Sequence, residues 1–153
     1  MFENILKKLE NYCAYRDRSE QEVYTKALEY GCLPPNAQKA IEILKENGFL
    51  NQERYLRSFI VGKFKNNGWG KNKIKQYLRR QKIKDSEIEI IFQDEISATE
   101  YKKMIDKLCK NKWESLKREE DLLKKKQKTA RFLISRGFEP NLVFQSISTQ
   151  SKD

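Results

Sequence analysis

The chain has 153 residues and a formal charge of +10, with 32 lysines and arginines against 22 acids. Leu, Ile, Phe and Val make up about a quarter of it, enough for a core, while few valines, glycines and prolines argue against a sandwich or barrel. Histidine is absent, which excludes imidazole general bases, Ser-His-Asp and Cys-His nucleophiles and His-ligated metals.

Cys13, Cys32 and Cys109 are odd in number and widely spaced, and read as small buried hydrophobes in a reducing compartment rather than a metal or redox site. No catalytic residue, metal or cofactor is expected. Met1-Phe2-Glu3-Asn4 shows no cationic leader, and apolar runs such as Phe59-Ile60-Val61 are far short of the ~20 residues of a membrane span. A soluble, cytoplasmic protein without membrane contact is expected.

Apolar residues recur at helical spacing from the start. Phe2, Ile5, Leu6, Leu9, Tyr12 and Cys13 fall on one stripe. Ser19-Glu20-Gln21-Glu22 reads as a capping box for a helix burying Val23, Ala27 and Leu28. Gly31 and Pro34-Pro35 stop it, and Pro35 is placed to begin the next helix, faced by Ala37, Ala40, Ile41 and Leu44. The same grammar returns with Tyr55 to Phe64, then Ile74, Tyr77 and Leu78, then a helix capped at Ser86-Glu87-Ile88-Glu89. A third round has Tyr101, Met104, Ile105 and Leu108, then Leu123, Ala130, Leu133 and Ile134, then Leu142, Val143 and Ile147, with the boundary near Trp113 left open.

Leu28-x4-Leu33, Leu78-x4-Ile83 and Leu133-x4-Phe138 align these rounds at offsets of 50 and 55, and Ile41 and Ile91 also keep the offset of 50. The expected fold is all-α, an elongated tandem array of three three-helix repeats: residues 1–48, 49–95 and 96–148, with a frayed tail at 149–153. A nine-helix bundle with accidental spacing is the alternative.

The first unit carries a net charge of −1, the second +5 and the remainder +6, which points to a polyanion along part of the molecule. At 100° per residue Lys71, Lys75, Arg79 and Lys82 form one stripe of ~80°. Lys63 and Lys65 precede it, and Gly68-Trp69-Gly70 lies between. A helix N-terminus flanked by glycines, lysines and an aromatic ring suits a phosphate and a stacked base; the other reading folds Trp69 back onto the core. Lys124, Lys128 and Arg131 extend the basic set, although the run Lys124-Lys125-Lys126 spans about 200° of a helix and Glu120–Lys124 and Asp121–Lys125 pairs offer it internal partners.

Tyr15-Arg16-x-Arg18-Ser19-x2-Glu22-Val23-x4-Leu28, Gly68-x-Gly70-x3-Ile74-x3-Leu78-x4-Ile83 and Leu133-x2-Arg136-Gly137-Phe138 are three patches that resemble the RecX family, regulators of the RecA recombinase. Two positions depart from the family pattern. Asn51-Gln52 stands where two acids are common, and Lys82 where glycine is usual, which suggests a differently capped helix. The resemblance implies three-helix repeats, binding in the groove of the RecA filament on DNA, restraint of its ATP hydrolysis and strand exchange, and no enzymatic activity. The implied partners are RecA with single-stranded and also double-stranded DNA, met by a monomer. The competing reading is a helical DNA- or RNA-binding protein that acts without RecA.

Overall fold

A computed structural model describes residues 1–152. Among them the chain forms nine α-helices and no strand: α1 (Phe2–Tyr15), α2 (Glu20–Glu29), α3 (Pro34–Glu46), α4 (Gln52–Asn67), α5 (Lys71–Arg80), α6 (Asp85–Glu95), α7 (Ala98–Ser115), α8 (Leu122–Ser135) and α9 (Pro140–Ser151). The closest helix packing lies within α1–α3, α4–α6 and α7–α9. The accessible surface, 9646 Å², exceeds the roughly 8,100 Å² of a compact monomer of this mass, as an elongated array requires.

The capping box at Ser19 forms as expected: Ser19 Oγ accepts from the Glu22 N–H at 3.0 Å and Glu22 Oε1 accepts from the Ser19 N–H at 2.9 Å. A second box, Ser97 with Glu100, opens α7. Other ends differ from expectation. Pro34 and Pro35 both lie in the first turn of α3. The N-cap of α6 is Lys84, so Ser86 lies inside the first turn and does not cap it. Helix α7 runs unbroken through Trp113. Helix α9 continues to Ser151, past Thr149 where the tail was expected; Asp153 lies outside the described residues.

The repeat register is shifted by one residue in the first unit. The pairs that occupy the same place are Ala27–Cys32, Leu78–Ile83 and Leu133–Phe138. In each, the N–H of the second residue donates to the carbonyl of the first, at 3.0, 3.3 and 3.2 Å. All six are buried, whereas Leu28 and Leu33 are 38% and 69% exposed. Ala27 follows Val23 by one helical turn on the face that meets the core, and Leu28 lies 100° further round. With an offset of 51, Ile41 matches Phe92 rather than Ile91, and Ile5, Leu9 and Cys13 match Leu56, Ile60 and Phe64.

In the third unit the first helix keeps an offset of 45, bringing Tyr101, Ile105 and Cys109 to those same places, while the later two helices stand at 55. The third unit therefore carries ten additional residues, taken up by the long α7 and the connection at 116–121.

The shared register also accounts for Lys82. Gly31, Lys82 and Gly137 are equivalent, with φ of 102°, 60° and 101°. The helix cap at Lys82 is the same kind of left-handed turn as its counterparts, with a side chain where they have none, so the expectation of a different cap does not hold.

The buried residues form two cores. One holds Ile5 to Leu50 of the first unit, and the other runs without a break from Tyr55 to Ile147. Tyr101 joins the second and third units in that larger core: its ring stacks on Phe64 at 5.8 Å and meets Phe92 and Phe138 at 5.5 and 5.6 Å. Beside it the backbones touch. Gly70 N–H donates to the Arg136 carbonyl at 2.7 Å and Asn72 N–H to the Gly137 carbonyl at 2.8 Å. A Cβ at Gly70 would lie closer than 3.0 Å to the Gly137 backbone, and one at Gly137 equally close to Lys73, so only glycines permit this approach.

Candidate nucleic-acid interface

The α5 stripe lies in order along the helix but turns its charge toward α6. Glu89 accepts from Lys75 and lies 3.4 Å from Lys71 Nζ, while Arg79 holds Asp85 through two bonds, Nε–Oδ1 at 2.9 Å and Nη2–Oδ2 at 2.7 Å. Hydrogen bonds from Arg79 and from Lys75 keep the Asp85 and Glu89 carboxyls below the usual range. The Lys71 and Lys75 side chains are only 23% and 15% exposed, against 54% for Arg79. Lys82 is not on the stripe: α5 ends at Arg80, and Lys82 sits in the following turn, exposed, at a polar recess with Gln52 and Gln81.

Trp69 is half-buried against the larger core, beside Phe59 and Tyr77, whose rings lie 6.3 and 6.2 Å from it. Two ammoniums lie over its ring, Lys63 Nζ at 4.9 Å and Lys73 Nζ at 4.6 Å. Among the described residues neither has a carboxylate within 4.0 Å. Across Gly68, Arg136 donates from Nη1 to the Asn67 carbonyl at 3.0 Å.

Lys65 is exposed and shares a shallow recess with Phe64, Glu100, Lys103, Met104 and Lys107. Lys103, Lys107 and Lys110 follow one side of α7 at spacings of four and three, all exposed and unpaired among the described residues. That row was readable in the sequence and was missed. Arg136, by contrast, reaches the Trp69 loop only through the fold, while Lys73 follows Trp69 by four residues.

On α8 the expected Glu120–Lys124 and Asp121–Lys125 pairs do not form, because the helix begins at Leu122. Asp121 instead caps it, accepting from the Leu123 and Lys124 N–H groups at 3.0 and 3.3 Å. Glu119 reaches Lys128 at 2.6 Å, and Lys125 lies over Trp113 at 4.4 Å. Lys124 and Arg131 remain exposed, Arg131 beside Lys112, Lys128 and Phe132.

A cleft of about 590 Å³ between α6, α7 and α9 contains the Tyr101 hydroxyl, which donates to Glu139 and accepts from the Lys71 N–H at 2.9 Å. Burial, and then the bond to Glu139, push this phenol up, so it is no base or nucleophile at neutral pH. No cluster of three His, Cys, Asp or Glu residues able to hold a metal occurs among the described residues, and no helix among them is long and apolar enough to cross a membrane.

Comparison with known proteins gives one family. Residues 51–90 match the second three-helix domain of RecX and residues 100–147 the third. The chain is 33% identical over 126 residues to the regulatory protein RecX of Clostridium perfringens strain 13, covering 80% of this chain and 57% of that protein. It thus spans little more than half the length of that relative. With the regulatory protein RecX of Actinobacillus pleuropneumoniae serotype 5b it shares 31% identity over 132 residues, 84% of this chain and 83% of that one. A crystal structure of RecX from Lactobacillus salivarius superposes with a TM-score of 0.86 over 99% of this chain and 97% of its own, at 18% identity, which speaks for the fold alone. Two matching three-helix domains, the helical array and a relative covered over most of its length place this chain in the RecX family of non-enzymatic regulatory proteins.

Proposed function

We propose that this protein, built of repeats 1–48, 49–95 and 96–148, binds the RecA filament on DNA and inhibits its ATP hydrolysis and strand exchange, with the second and third repeats laid along the polyanion. The observation that carries this reading is the contrast between two sets of cations. Lys71, Lys75 and Arg79 have carboxylate partners within the chain. Lys63, Lys65, Lys103, Lys107, Lys110, Lys124 and Arg131 have none among the described residues and are available to an external anion. The near-neutral first repeat is left for protein contact. Trp69 and Lys128 border this surface rather than form it.

The test is RecA ATPase on single-stranded DNA. Inhibition at protein concentrations well below those that saturate the DNA is expected, and Lys103→Glu with Lys107→Glu and Lys110→Glu should weaken it by at least about tenfold. Inhibition only when the DNA is fully covered would instead favour a nucleic-acid-binding protein that acts without RecA.

A further inference from the structure

The cations around Trp69 differ from every other ordered group of cations on the second repeat, because an aromatic ring rather than a carboxylate gathers them. Lys63 and Lys73 come from different helices and converge on one indole, which places their ammoniums less than ~10 Å apart by the sum of their ring distances. Each ammonium has three donors, and a contact to the ring leaves donors for an outside acceptor. The backbone beneath each is fixed in advance. The Lys63 carbonyl accepts from the Trp69 N–H at 3.0 Å, and the Lys73 stem lies against Gly137 where even a methyl group would not fit. Ordering costs that flexible surface lysines incur on binding are therefore reduced here.

From this we infer that Lys63 and Lys73 on Trp69, with Arg136 across Gly68, form a clamp for phosphate groups of a single-stranded nucleic acid. This rests on the nucleic-acid half of the function proposed above. The group taken up is phosphate and not a stacked base, since ammoniums already lie over the indole and a base would have to displace them. The glycine contact that joins the second and third repeats is also what brings Arg136 to the clamp.

The chain has two tryptophans, so Trp113→Phe makes Trp69 the sole indole reporter in this chain of 153 residues. Titration with oligodeoxythymidylate at low salt should change its emission. Lys63→Gln with Lys73→Gln should raise the half-saturating concentration about tenfold and flatten the log–log salt dependence by about 1.4, at ~0.7 per phosphate. Lys63→Arg with Lys73→Arg should restore both, and circular dichroism of each variant separates a lost clamp from a lost fold. Unchanged affinity and salt slope in a folded glutamine variant would overturn the clamp. So would a Trp69 response to inorganic pyrophosphate with none to the oligonucleotide, which would assign the site to a free polyphosphate. RecA is absent from these titrations, so their failure leaves the filament reading standing, and loss of RecA inhibition with the Trp69 response intact would leave the clamp standing.

Discussion

The two joints between successive repeats are built from different materials. The first joint is polar: Ser19 Oγ donates to Gln81 Oε1 at 2.7 Å, the Glu20 N–H to Gln52 Oε1 at 2.9 Å, and Arg54 Nε to Asp17 Oδ1 at 2.6 Å. No core crosses it. The second joint has two backbone hydrogen bonds between glycine turns and the buried Tyr101 ring set among Phe64, Phe92 and Phe138. Hydrogen bonds exchanged against water contribute about 0.5–1.5 kcal/mol each, and exposed ion pairs about 0–1 kcal/mol. A close-packed apolar joint couples its two sides far more strongly. The chain is three repeats by architecture, and this contrast predicts two cooperative bodies.

Substitutions can break that contrast. The largest effect should come from the larger core, where Leu78→Ala or Leu133→Ala should each cost about 2–5 kcal/mol in urea unfolding, while Leu28→Ala on the surface should cost less than about 1 kcal/mol. Equal losses would mean that the register drawn through Ala27 is wrong. Gly137→Ala should cost on the order of 3 kcal/mol, combining its left-handed backbone with the clash on Lys73. Hydrogen exchange should then show residues 55–147 opening with residues 5–50 still protected. At the polar joint, Gln52→Ala with Gln81→Ala should cost only about 1 kcal/mol and leave protection within both cores unchanged; a larger loss would make the first joint as strong as the second.

A smaller gain should come from Lys82→Gly, about 0.5–1 kcal/mol, because relief of the left-handed strain exceeds the entropy that glycine adds to the unfolded chain. Acid sharpens the comparison further. The carboxyls of Asp85, Glu89 and Glu119 are held below their ordinary values chiefly by hydrogen bonds from Arg79, Lys75 and Lys128 respectively, and that of Asp106 is lowered, against the opposing effect of its burial, by bonds from Lys102 and Ser146. A lowered carboxyl contributes stability above its unfolded value, near ~4, and loses it as pH falls through the folded value. All four lie in the second and third repeats, so lowering the pH from 5 toward 2 should loosen residues 55–147 before the first repeat in a hydrogen-exchange experiment.

Local periodicity decided much of this protein. A helix is a repeat of backbone bonds over four residues, so the stripes through Leu9, Ile60 and Ile105, the box at Ser19 and the absence of histidine could all be read along the chain. Adjacent apolar residues such as Ala27 and Leu28 could not be separated that way, because only the neighbouring helices determine which of the two faces inward. The same holds for charge. The spacing of Lys71, Lys75 and Arg79 was visible, but their neutralisation by Glu89 and Asp85 comes from α6 folding back beside them. The arrival of Arg136 across Gly68 depends likewise on the glycine contact between residues 70 and 137. Electrostatic partnership falls off over a few ångströms of space and not over sequence, so the helices were decided locally and the available cations were decided by the tertiary structure.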